Sequence, residues 1–167
     1  MLMNKEKVLE YLPHREPFLF IDSLESMELP ENVKNQEERA ARDLVGTVVV
    51  CHFEVKKELD ILRGHFPGNP ILPGVVQVEM MAQSCAFVSL GLTGIDENTS
   101  VKTLLLGVES AKFRKPVLPG MKLLITATID SCRGTIAQYH CSITSNGEKI
   151  SEAKILAKLD IVKKDNK

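Results

Sequence analysis

The chain has 167 residues, 44% of them hydrophobic and 26% charged, and its 21 basic residues nearly balance 22 acidic ones for a net charge of −1. That length suits one domain spanning residues 1–167, and the ordinary globular balance excludes a disordered, collagenous or coiled-coil chain. With no basic surplus, nothing in the whole-chain charge points to nucleic acid. Cys51, Cys85, Cys132 and Cys141 form no CxxC pair, so free thiols in a reducing compartment are expected. The charged opening from Met1 to Lys7 does not read as a signal peptide. The most apolar stretch, Val75 to Leu92, is interrupted by Gln77, Glu79 and Gln83. No membrane span and a cytoplasmic location are therefore expected.

A short helix is expected from Lys5 to Leu12, capped by Asn4 and ended by Pro13. Phe18 to Leu24 reads as a strand. Glu28 to Asp43 is polar, mixed in charge and without an apolar period, so it reads as an extended loop with a helical turn near Gln36–Arg42. Thr47-Val48-Val49-Val50 centres a β-branched strand within Val45–Val55. Glu54 to Arg63 reads as a linker or a single helical turn. Pro73-Gly74 then opens the longest apolar segment, a helix to about Leu90 with Gly91 and Gly94 as stops.

Strands follow over Lys102–Phe113, Lys122–Ser131, Thr135–Ser145 and Lys149–Val162. Turns separate them at Pro116–Gly120, at Arg133-Gly134 and at Asn146-Gly147, the last a strong hairpin signal. A polar tail closes the chain from Lys163 to Lys167. Alternation is strict in Lys122–Ser131, with Leu123, Ile125, Ala127 and Ile129 on one face and Leu124, Thr126, Thr128 and Asp130 on the other. A helix apolar nearly all round must be enclosed, and a curved antiparallel sheet wrapped around it is the simplest enclosure, an α+β fold. About six strands cannot wrap a helix completely, so a dimer that extends the sheet is expected.

The chemistry concentrates in Gly64-His65-Phe66-Pro67-Gly68-Asn69-Pro70-Ile71-Leu72-Pro73-Gly74-Val75-Val76-Gln77-Val78-Glu79. Prolines and glycines lock this loop against the helix start, and such a loop holds a side chain rigidly. His65 is the one ionisable side chain between Gly64 and Glu79. Glu79 stands on the apolar helix among valines and methionines, where a carboxylate must be paired, protonated or functional. Taken singly, His65 reads equally as a loop histidine bonded to a backbone carbonyl, and Glu79 with Gln83 as a polar stripe bonding the sheet. Taken together they form a base and an acid. The first N–H groups of the helix, at Gly74 and Val75, lack intrahelical partners and suit a carbonyl oxygen that gains charge. Gly74 has no Cβ to keep a ligand away. Base, acid and electrophilic helix terminus fit removal of a proton beside a thioester with loss of a β-leaving group.

At these residues the sequence resembles the (3R)-hydroxyacyl-acyl-carrier-protein dehydratases of bacterial fatty acid synthesis, the FabZ type. Three segments carry the resemblance in order: Leu12-Pro13-His14-Arg15-Glu16-Pro17-Phe18-Leu19-Phe20-Ile21-Asp22, the stretch from Gly64 to Gln83, and Lys112-Phe113-Arg114-Lys115-Pro116-Val117-Leu118-Pro119-Gly120. The resemblance implies a hot-dog fold, homodimers often assembled as a trimer of dimers, and the histidine of one subunit meeting the glutamate of its partner, by position His65 and Glu79. It implies no cofactor and no metal, and His14, His52, His65 and His140 show no metal-ligand spacing. The chain departs from the family pattern at Met80, Met121, the leucines Leu104–Leu106 and the long Glu28–Asp43 segment.

The expected reaction is dehydration of a (3R)-3-hydroxyacyl chain on acyl carrier protein to the trans-2-enoyl thioester. Phe66, Ile71, Leu72, Val76, Met80 and Phe87, with Gln83 beside them, are candidates for the acyl tunnel. Lys112, Arg114, Lys115 and Lys122 cluster around a turn, as either a solvated face or a dock for the acidic carrier protein. His14-Arg15 reads as structural, bonding across the fold. A hot-dog acyl thioesterase and a non-catalytic acyl-thioester binder are the alternatives; both proposed polar groups are present and no DNA-binding segment precedes them, which favours the dehydratase.

Overall fold

The structure, a computed structural model, describes residues 1–94 and 99–163. Asn4 opens the fold as expected: its side-chain oxygen accepts the Lys7 N–H at 3.1 Å and caps α1 (Lys5–Tyr11), a contact typically worth about 1 kcal/mol. Six strands among the described residues form one antiparallel sheet: β1 (Ser23–Glu28), β2 (Val48–Glu54), β3 (Thr99–Phe113), β4 (Lys122–Arg133), β5 (Ile136–Ser145) and β6 (Glu148–Lys163). Their order is β1-β2-β4-β5-β6-β3. The central helix α3 (Gly74–Cys85) packs against β2, β3, β4, β5 and β6. A curved sheet around one helix is the hot-dog arrangement.

Local signals place most of these elements. The inward row of β4, Leu123, Ile125, Ala127 and Ile129, is fully buried, and the alternate row is exposed or half-buried. The β5–β6 hairpin turns on Asn146-Gly147 with φ of 50° and 80°, as a two-residue type I′ turn requires. The Glu54–Arg63 segment contains the short helix α2 (Asp60–Gly64). The tail expected from Lys163 to Lys167 lies, beyond Lys163, outside the described residues.

Elsewhere the structure corrects the expectations. The strand expected from Phe18 to Leu24 begins only at Ser23. Residues 18–20 pair with a side chain instead: Gln83 accepts the Phe20 N–H at 2.9 Å and donates to the Phe18 carbonyl at 2.8 Å. Backbone groups satisfied in this way need no neighbouring strand. The helix expected to reach Leu90 leaves α geometry after Cys85 and continues as a 3-10 turn, Ala86–Gly91. There the Ala86 carbonyl is taken by the hydroxyls of Tyr11 and Ser89.

The Glu28–Asp43 segment contributes two 3-10 turns, Glu31–Val33 and Ala41–Leu44, rather than one near Gln36–Arg42. Buried Val33 and Leu44 anchor them. Arg39 Nε donates to the Gly91 carbonyl at 2.7 Å, and the Arg39 N–H goes to Thr93 Oγ1 at 2.6 Å. A Cβ at Gly91 would stand 2.7 Å from Leu44 Cδ2 and 2.9 Å from Leu29 Cδ2. The segment therefore closes the C-terminal end of the central helix, and a side chain at Gly91 would have to push the tips of Leu44 and Leu29 aside.

One chain does not enclose α3. Val75 is 77% exposed, and Val78, Glu79, Ala82 and Ala86, which follow it at helical spacing, are only partly buried. The edge strand β3 shows Leu104, Leu105, Leu106, Val108 and Phe113 to solvent, with no strand beyond it among the described residues. No helix among the described residues is long and apolar enough to cross a membrane. All four cysteines are free thiols. Burial pushes the Cys51 thiol up to about 12, with a Ser84 hydrogen bond opposing, so it stays uncharged and packs as a small hydrophobe.

Candidate active site

α2 ends at Gly64 and hands the chain to His65. The loop that follows bonds to itself. The Phe66 N–H reaches the Asn69 carbonyl at 3.0 Å, the Asn69 N–H returns to the Phe66 carbonyl at 2.9 Å, and the Ile71 N–H reaches the His65 carbonyl at 2.8 Å. Gly68, at φ 76°, supplies the left-handed residue this closure needs. The imidazole stacks on Phe66 at 4.0 Å between ring centroids. Its Nδ1 lies 2.8 Å from the Ile71 carbonyl oxygen. A carbonyl only accepts, so Nδ1 is the donor, and in the neutral ring Nε2 keeps a bare lone pair. The carbonyl bond of an ordinary loop histidine thus leaves Nε2 of the neutral ring able to accept a proton.

The Leu72 N–H ties the loop to the Val117 carbonyl at 2.8 Å. At the start of α3 the N–H groups of Val76 and Gln77 turn back to the Pro73 carbonyl at 3.1 and 3.2 Å. Those of Gly74 and Val75 have no backbone acceptor among the described residues, which leaves them for an anion or a polarised carbonyl. The structure gives a different reason for the glycine from the one expected. A Cβ at Gly74 would stand 2.9 Å from Cζ of Phe113, so the first demand on this position comes from an aromatic ring of β3. His65, Gly74, Gln77, Phe113, Arg114 and Lys115 line one cavity of about 380 Å³.

Glu79 faces elsewhere. Its Oε1 accepts Gln83 Nε2 at 2.9 Å and lies 3.5 Å from His14 Nε2. The same Gln83 amide holds the backbone of residues 18–20, so the polar stripe of α3 grips the first motif and not the sheet. Glu79 lines a second cavity, of about 260 Å³, with Tyr11, His14, Ala82, Ala86, Leu104 and Leu105 among its walls. Burial pushes the Tyr11 phenol above its ordinary range, the Ser89 hydrogen bond working against it. Tyr11 also stacks on Phe87 at 5.2 Å.

The residues singled out from sequence are thus divided between the two cavities or withdrawn from both. Ile71 and Leu72 line the His65 cavity, and Gln83 lines the Glu79 cavity with its amide already engaged. Val76, Met80 and Phe87 are core residues that line neither, and Phe66 is half-exposed. Sequence reading missed Tyr11, Ala82 and Ala86 as cavity residues, took His14 as structural, and noted Leu104 and Leu105 only as a departure from the family pattern. Ala82 and Ala86 fall three and seven positions after Glu79, on the same helix face, and that spacing was the available signal. Of the basic cluster, Arg114 is paired with Glu152 and Lys115 with Glu148, so part of its charge is spent within the chain.

Residues 37–154 match the ApeI-like family, described as ApeI dehydratase. The chain belongs to this dehydratase family. Curated relatives of the dehydratase agree. It is 31% identical over 159 residues to the 3-hydroxyacyl-acyl-carrier-protein dehydratase FabZ of Anaeromyxobacter sp. strain Fw109-5, covering 95% of this chain and 90% of that one. It is 32% identical over 157 residues to the FabZ of Rickettsia felis, covering 94% and 96%. The bifunctional LpxC/FabZ enzyme of Chlorobaculum tepidum is 35% identical over 158 residues, 94% of this chain but only 30% of that longer protein. Among solved structures, the dehydratase heterocomplex ApeI:P from Xenorhabdus doucetiae superposes with a TM-score of 0.64 at 18% identity, covering 92% of this chain and 90% of that one. A mutant thioesterase from Pseudomonas aeruginosa gives 0.62 at 13% identity, covering 97% of each. At these identities the two structures speak for the fold alone.

Proposed function

We propose that this enzyme removes water from a (3R)-3-hydroxyacyl chain carried on the phosphopantetheine arm of acyl carrier protein, yielding the trans-2-enoyl thioester of fatty acid biosynthesis in the cytoplasm. The observation that carries the reading is the His65 cavity: an imidazole with its Nε2 lone pair free, beside unpaired N–H groups at the start of α3. Nε2 of His65 takes the C2 proton. The thioester oxygen gains enolate character and is held by the Gly74 and Val75 N–H groups. The C3 hydroxyl leaves as water with a proton from Glu79. Arg114 and Lys115 stand at the mouth of the same cavity, where an acidic carrier delivering the thioester would meet them.

The acid must come from a second copy. Within one chain His65 and Glu79 line different cavities. The long apolar edge of β3 and the uncovered stripe of α3 support a homodimer that joins the two sheets edge to edge. The test is conversion of 3-hydroxyacyl carrier substrates of several lengths, read by ultraviolet absorbance of the enoyl product, beside plain acyl thioesters. Enoyl product that disappears in His65→Ala supports the reading. Hydrolysis of the plain thioesters without dehydration contradicts it and favours a thioesterase.

A further inference from the structure

The first motif stays unexplained by a base, an acid and a helix terminus. In the structure it presents a second histidine to the acid. Arg15 clamps the backbone on either side of His14, its guanidinium donating to the Leu12 carbonyl at 2.8 Å and to the His14 carbonyl at 2.7 Å. Gln83 ties residues 18–20 of the same segment to α3. So fixed, His14 puts Nε2 3.5 Å from Glu79 Oε1. Its other nitrogen, Nδ1, is buried and has no hydrogen-bond partner among the described residues.

The geometry points to His14 as a positioning residue that orients Glu79 for proton delivery, an inference that rests on the dehydratase reading above. A buried N–H without an acceptor is disfavoured more than a buried bare lone pair. The unpartnered Nδ1 therefore puts the ring proton on Nε2, the nitrogen that faces Glu79. Oε1 then accepts from the Gln83 amide and faces the His14 Nε2–H as a second donor. Oε2 is left as the oxygen that holds the proton and gives it to the leaving hydroxyl. A separation of 3.5 Å exceeds a formed hydrogen bond, and catalytic hydrogen bonds of unliganded enzymes are often long and tighten with substrate. A neutral imidazole suits the task, because it directs the carboxyl without setting a full positive charge against it. The neighbouring groups do not compete. The Tyr11 phenol is bonded to Ser89 and Ala86, Arg15 faces backbone carbonyls, and Lys102 is exposed on β3 at the cavity wall.

The experiment compares His14→Leu with His14→Gln in the full-length enzyme acting on a 3-hydroxyacyl carrier substrate. Glutamine can return an N–H donor close to the position of Nε2, and leucine cannot. His14→Leu is expected to lower kcat by about 10–100-fold with KM little changed, the scale of a misplaced catalytic group, and His14→Gln to recover most of it. Nitrogen-15 spectra of the wild-type imidazole are expected to show the proton on Nε2 and none on Nδ1. An Nδ1–H tautomer overturns the role. So does a His14→Leu enzyme with wild-type kcat, and so does an equal loss in both variants that follows their melting temperatures. A wild-type chain with no dehydration at all overturns the parent reading and this role with it. Activity that needs His65 but ignores His14 overturns this role alone.

Discussion

His65 and Glu79 are held in opposite ways. His65 is fixed mainly by its own loop, through backbone bonds that span at most six residues and a carbonyl on Ile71, with one longer tie from Leu72 to Val117. Glu79 stands on a regular helix, yet its carboxyl is oriented by Gln83 and faces His14, and Gln83 in turn holds a backbone 63 and 65 residues away. The proposed base is thus held mostly by local sequence and the proposed acid by tertiary contact. The proposed base should therefore tolerate most change outside its loop and the Val117 and Phe113 contacts that support it, and the proposed acid should feel changes made far from it.

The largest effects are expected at the two groups themselves. His65→Ala and Glu79→Gln should each lower kcat by ~10²–10⁴-fold with the melting transition in place, as steady-state enoyl formation and calorimetry would show. Full activity in either variant would break the comparison at its root. Gln83→Leu comes next. It releases the Phe18 carbonyl and strands the buried Phe20 N–H, and a buried group left unpaired costs about 1–3 kcal/mol. Urea unfolding should register that loss while kcat falls with it. Lost activity at unchanged stability would separate the two duties assigned to the glutamine.

Gly74→Ala sharpens the other side. The added methyl meets the tip of the half-exposed Phe113 ring, a cost toward the low end of the overpacking range of about 1–3 kcal/mol. Phe113→Leu in the same chain should relieve it, so a double-mutant cycle on stability should show positive coupling. Additive losses would mean that the ring moves aside freely. The smallest effect is expected at the proposed carrier dock. Arg114→Glu with Lys115→Glu should raise KM for carrier-bound substrate several-fold at low salt, less at high salt, and leave kcat alone. An unchanged KM would remove these residues from docking.

The same division between local and distant contacts governs what the sequence disclosed. Asn146-Gly147 named its turn, the alternation of Leu123 to Ile129 named its buried face, and Pro73-Gly74 named the start of the central helix, because each depends on neighbours in the chain. The fold class followed from the order of such elements. The strand expected at Phe18 failed for the converse reason. Its apolar run is compatible with a strand, and only Gln83, far along the chain, determines that a side chain satisfies it instead. The apolar residues nearest the motif were natural candidates for the tunnel, yet Met80 and Phe87 turn into the core while Leu104 and Leu105 arrive from β3. Nor could the motif reveal that Gly74 answers to Phe113, since β3 reaches the helix start only once the sheet has curved.

The central claim is that the base of one protomer works with the acid of another. Subunit mixing tests it most directly. His65→Ala and Glu79→Gln chains, each inactive alone, are unfolded or dissociated together and allowed to reassemble. If sites span the interface, half of the pairs are hybrids with one intact site of two, and activity returns to about a quarter of wild type. Hybrids shown by mass spectrometry to form, yet as inactive as either parent, would contradict the account.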